Sequence, residues 1–225
     1  MHAFTLALIL GAAVWYAAGV RRLWQRAGRG RGVTRVHVAA FAAGIAVLAF
    51  AAFAPLDERL WTHMVQHELL MVLAAPLLVL GRPLAAFAHL APLRVPRSLG
   101  DPLPAFALHA LAICVWHVPP LFLAAAANEA LHFAQHASFL GSAILFWWSV
   151  FARADLGAFA ALFGTMLYTA ALGVLMSFAR ARWYAGYALE DQQLAGLIMW
   201  IPAGLAYPAA ALGIASQWLR RRSAA

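Results

Sequence analysis

Long apolar runs separated by short arginine-bearing stretches dominate the chain, and a helix that crosses a bilayer needs about 20 such residues at 1.5 Å rise. Seven segments come close to that length: residues 3–20, 36–53, 61–80, 103–123, 130–151, 156–178 and 194–212. The pattern predicts an all-α, polytopic membrane protein of seven transmembrane helices, with residues 1–225 forming one membrane domain. Two segments break their apolar run near the start in the same way. WTHMVQHELL opens the third and LHFAQHASFL the fifth, each carrying H-x-x-Q-H. The echo is short, so it is read as parallel geometry and not as a duplicated unit. Prolines at 76, 119, 120, 202 and 208 fall within or near the ends of these helices. Each removes a backbone donor and bends the chain, leaving carbonyls for neighbours to satisfy. The stretch RPLAAFAHLAPLRVPRSLGDPLP reads as a loop with an interfacial helix, and Trp147 with Trp148 as part of an interfacial aromatic belt.

Composition supports a membrane protein, with 65% hydrophobic and 11% charged residues. The net charge of +8 would suit a nucleic-acid partner, but every basic residue is arginine and the arginines cluster between apolar runs. That is how orientation signals are placed, so membrane lipid and no nucleic acid is the expected surroundings. With the N-terminus outside, thirteen of the sixteen arginines fall on the inner side, leaving Arg59, Arg180 and Arg182 outside. The C-terminus is then cytoplasmic. The first apolar stretch precedes its arginines, the reverse of a secretory signal, and is expected to be a retained helix. Asp57, Glu58, Glu68, Glu129, Glu190 and Asp191 lie on the outer side, where they would draw cations.

This orientation puts the polar interruptions at one level. His63 with His67, and His132 with His136, are i, i+4 pairs whose Cβ atoms stand about 5–6 Å apart, close enough for both imidazoles to ligate one ion. All four lie within the first turns of helices that enter from outside. His117, in CVWHVPPLF, ends the fourth helix at the same level. A lone intramembrane histidine serves most often as a hydrogen-bond partner between helices, and a lone methionine as core filling. Two pairs and a fifth imidazole at matched depth favour a metal or heme site over that reading. In DQQLAGLIMW, Asp191 and Met199 share a helix face, the carboxylate at the rim and the thioether about 12 Å below. Asp191 is a candidate ligand, and equally a helix cap or dipole partner. Imidazole with thioether suits copper, especially Cu(I); zinc gains nothing from the methionine. Gln66 and Gln135, beside a histidine in each pair, are placed to orient an imidazole through its second nitrogen.

Other chemistries find little support. The single cysteine, Cys114, excludes an intramolecular disulfide and any Cys-pair metal motif. His67 and Glu68 begin like H-E-x-x-H, but position 71 is Met, and neither a nucleophile elbow nor a phosphate loop occurs in a suitable context. The chain is not expected to be an enzyme.

The succession THMVQHELL with APLLVLGRP, WHVPPLF, LHFAQHASFL with FWW, and DQQLAGLIMW resembles the CtaG-like family of bacterial cytochrome c oxidase assembly factors, the multi-helix type associated with caa-type oxidases. The resemblance covers roughly residues 40–215. It implies a multi-pass protein of the bacterial plasma membrane that matures the oxidase, has its subunits as partners and handles copper. It singles out His63, His67, His117, His132, His136, Asp191 and Met199. A b-type heme protein with axial histidines is one alternative. A copper transporter is another, though only His109 furnishes a path below the outer cluster.

Overall fold

Several helices begin where the sequence offers a cap. The computed structural model describes residues 2–56, 59–92, 96–153 and 155–223. Asp57, Glu58 and Arg94, used in the charge pattern above, lie outside these, as do the side chains of Arg97, Arg221 and Arg222. Among the described residues every regular element is helical. The order is α1 (His2–Ala27), α2 (Arg35–Phe53), α3 (Leu60–Glu68), a π-helical stretch (Leu69–Ala74), α4 (Ala75–Leu80), α5 (Pro83–Phe87), a 3-10 turn (Arg97–Gly100), α6 (Pro102–Trp116), α7 (Pro119–Ala127), α8 (Glu129–Arg153), α9 (Leu156–Ser177) and α10 (Leu189–Ser223). Thr34 Oγ1 accepts from the His37 amide while His37 Nδ1 accepts from Thr34, closing a capping box on α2. Asp101 and Asn128 cap α6 and α8, and Asp155 caps α9.

Among the described residues, five helical stretches are long and apolar enough to cross a membrane, six when α6 and α7 count as one bent span. The third is α3 with the π-helical stretch and α4. Helix α8 has 25 residues but falls outside that group, because His132, Gln135, His136 and three serines dilute its apolar run. The fourth expected segment is not one helix. Pro119 and Pro120 follow His117 and Val118, Val118 takes the extended geometry that precedes proline, and α7 leaves α6 at 76°. The stretch expected to carry an interfacial helix holds two short pieces, the five residues of α5, which pack on α1, and the 3-10 turn.

The densest packing places α10 on α9 and α3, and α8 on α6. A Cβ on Gly173 would stand 2.8 Å from the Gly196 carbonyl oxygen, so only glycines permit the approach of α9 and α10. Helices α6 and α8 are linked by Trp116 Nε1 donating to Ser138 Oγ at 2.8 Å, and by His109 Nδ1 with Ser142 Oγ at 2.9 Å. The π-helical stretch has its cause in the sequence. Its register hands the Ala75 amide to the Leu70 carbonyl, and the next such bond would need an N–H on residue 76, which is proline. The Met71 carbonyl instead receives Trp147 Nε1 at 2.9 Å. Trp147 is therefore buried, 2% exposed, in the core and not in an interfacial belt.

Candidate metal centre

The first turn of α3 is held from outside its own chain segment. Asp191 Oδ2 accepts from the Leu60 amide at 2.9 Å and Oδ1 from Trp61 at 3.4 Å. These are N–H groups a helix start leaves without partners, and a carboxylate there also meets the positive end of the helix dipole. This fixes the entry of the helix that carries His63 and His67. Asp191 is thus engaged as a cap of α3, the helix that follows Arg59, through both of its carboxylate oxygens.

On α3 the His63 and His67 rings stand 4.3 Å apart, and on α8 those of His132 and His136 stand 4.1 Å apart. The two pairs face each other. His63 lies 5.3 Å from His132 and 5.6 Å from His136, and His67 lies 5.2 Å from His136. Ring nitrogens of His63, His67 and His136 all fall within 4.8 Å of one another. Ligands about 2.1 Å from a tetrahedral ion are about 3.4 Å apart, so small rotations would close these nitrogens on one centre. Phe122 packs edge-on against His63 at 5.3 Å and Phe139 against His67 at 4.7 Å.

His117 closes the other side, 6.1 Å from His67. Because α6 ends there, Nδ1 reaches back 2.8 Å to the Ile113 carbonyl. An N–H donated at Nδ1 leaves Nε2 as the lone-pair nitrogen, the usual outer-shell arrangement for a ligating histidine. Nε2 is buried and meets no hydrogen-bond partner among the described residues. His67 is 2% exposed, and neither of its ring nitrogens has a hydrogen-bond partner among the described residues. A buried polar group left unpaired in this way costs about 1–3 kcal/mol, which an ion at the centre would relieve.

The glutamines do not orient imidazoles in this structure. Gln66 Nε2 donates to the Ala51 carbonyl at 2.6 Å, in the last turn of α2 where carbonyls lack intrahelical partners. Gln135 is buried, next to His136 in sequence, and neither atom of its amide meets a hydrogen-bond partner among the described residues. Met199 is 4% exposed in the apolar core that also holds Met64, Met71 and Met176. Counting helical rise from the Asp191 cap, it lies about 12 Å along α10 and His67 about 10 Å along α3, the same level.

A cavity of about 610 Å³ adjoins the cluster. His63, His132 and His136 line it, with His2, Asn128 and Glu129 toward the end where α1 and α8 begin. His67 and His117 do not line it.

A feature missed in the sequence is the connection between α9 and α10. Gln192 Oε1 accepts from the Trp183 amide at 2.6 Å and Gln193 Nε2 donates to the Ala179 carbonyl at 3.1 Å, which folds this connection over the site. Tyr184, fully buried, donates its hydroxyl to the His117 carbonyl at 2.9 Å and rests on Phe122 at 4.5 Å. Burial pushes its phenol above the ordinary tyrosine value, so it stays a donor. The three polar residues of DQQ therefore bracket the histidines, one capping α3 and two holding the strap that carries Tyr184.

The family model of the cytochrome c oxidase caa3 assembly factors, Caa3_CtaG, matches residues 14–221. The chain belongs to that family. No curated protein and no solved structure shows a match to it. In this caa3 assembly factor the matched region contains all five clustered histidines, Tyr184 and the DQQ bracket, while His2 at the cavity mouth lies before it.

Proposed function

We propose that this assembly factor binds copper as cargo in the histidine cluster and passes it to an apo-subunit of the cytochrome c oxidase. The observation that carries the reading is His67, a buried imidazole with no hydrogen-bond partner among the described residues, which has a ring nitrogen within 4.8 Å of one on His63 and one on His136. Imidazoles from α3 and α8 form the centre, with His117 approaching from the end of α6. Met199, at the same level, supplies a thioether suited to Cu(I). The donors come from several helices and one side opens onto the 610 Å³ cavity, so ligands can be exchanged. A structural zinc site would be closed by four ligands. The role is non-catalytic.

The same reading places the protein in the bacterial plasma membrane, with α8 as a further span to give seven. The N-terminus is outside and the C-terminus cytoplasmic, which puts the cluster and the cavity mouth on the outer side. The test replaces the resident protein with His67→Ala in cells and measures assembled oxidase in their membranes, with His109→Ala as comparison because that imidazole is already bonded to Ser142. Oxidase with its copper centres should be lost in the first strain and kept in the second, at equal levels of assembly factor. Normal oxidase in the His67→Ala strain would overturn the proposal.

A further inference from the structure

At the end of α1 remote from the histidines, about 28 Å along the helix from His2 by its rise, a second cavity of about 420 Å³ has a different character. Its floor is apolar, formed by Tyr16, Val20 and Trp24, and its rim carries Arg21, Gln25 and Arg29. The rim is held in shape. Gly28, Gly30 and Gly32 take φ values of 93°, 79° and 74°, which only glycine adopts freely, and they turn the chain back on itself after α1. Trp24 Nε1 then donates to the Val33 carbonyl at 2.7 Å, and Arg82 donates to the Gly32 carbonyl at 2.9 Å. This brings Arg29 back beside the last turns of α1.

The first 56 residues contain no aspartate or glutamate, so the rim arginines have no acidic neighbour in sequence. Arg153, by contrast, has Asp101 at 3.6 Å. Orientation signals require arginines at this end of the helix but do not require a shaped hollow beneath them. An apolar floor continuous with the membrane-spanning part of α1, topped by guanidinium groups, matches the order of parts in a phospholipid with a net negative headgroup. Arginine also suits phosphate through its paired donors.

We propose that this cavity is a binding site for an anionic phospholipid, its phosphate between Arg21 and Arg29 and its acyl chains against Tyr16, Val20 and Trp24. The site is independent of the metal centre. It anchors the α1–α2 connection to the membrane surface.

The experiment is native mass spectrometry of the purified full chain after delipidation, offered phosphatidylglycerol, phosphatidylcholine or inorganic phosphate. Phosphatidylglycerol should be retained in preference to phosphatidylcholine, and inorganic phosphate should not displace it. In Arg21→Gln/Arg29→Gln the preference should fall roughly fivefold for each arginine removed. Arg22→Gln/Arg26→Gln removes the same charge from α1 outside the cavity and should leave most of it. Ala17→Phe, which fills the floor without altering charge, should lower retention and provides the test if the double variant does not fold. Equal retention of the two lipids, equal losses in both arginine pairs, displacement by phosphate, or undiminished retention in Ala17→Phe would each overturn the site.

Discussion

Asp191 shows how one side chain can fix the helix that carries two of the clustered histidines. Its carboxylate accepts from the Leu60 and Trp61 amides, so Asp191→Ala should lower stability by about 0.5–2 kcal/mol, the ordinary cost of a lost cap. The copper content of the folded protein should stay unchanged. A denaturation midpoint and a metal assay on one preparation separate the two effects; loss of copper at full stability would make Asp191 a ligand. Tyr184→Phe removes the donor to the His117 carbonyl, costs about 1 kcal/mol and should lower Tm by about 2–4 °C. The paired histidines were legible because i, i+4 spacing places two rings on one helix face whatever lies opposite. The partner of Asp191 was not. A cap on its own helix can be read locally, but a cap on a helix 131 residues away in sequence needs the packing of α10 on α3. For Gln66 and Gln135, adjacency to a histidine proved a poor guide, since neighbours on a helix point about 100° apart.

Among the elements, the third span is the most informative. Pro76 cannot supply the amide that the π-helical register requires, and Trp147 from α8 takes its place on the Met71 carbonyl. Trp147→Phe should therefore destabilise by about 1 kcal/mol, and less in a Pro76→Ala background where residue 76 regains its N–H. A double-mutant cycle in thermal unfolding measures the difference; additive losses would dismiss the link. The sequence told that a proline frees carbonyls, and long apolar runs located the middle helices to within a few residues, while α1 and α10 run on well past their apolar stretches, to Ala27 and Ser223. It did not tell which side chain would answer, because Trp147 near the end of a span reads the same in a belt or a core. The 76° break at His117 was likewise hidden. Two prolines announce a bend but not its size, and here the bend ends α6 so that the His117 ring nitrogen reaches the Ile113 carbonyl.

Across the whole molecule, polar groups are divided between two ends. The imidazole cluster and the cavity mouth lie at the end where α1 and α8 begin, and the arginines of the α1–α2 connection at the other. A reporter fused after residue 225 should accordingly be cytoplasmic, and a reporter exposed to the outside would invert the placement of the site. Matched depth of five histidines on three segments was readable from helix order and charge; their meeting at one point depends on the π-helical stretch and α4 packing on α8 below them, which hydropathy does not encode. The central claim is that these imidazoles hold copper. The most direct measurement is the metal content of the purified, washed protein, wild type against His63→Ala/His132→Ala, with matching thermal unfolding to show that both are folded. The wild type should retain copper and the variant should lose it. Equal copper in the two proteins, or a wild type that carries heme in its place, would contradict the account.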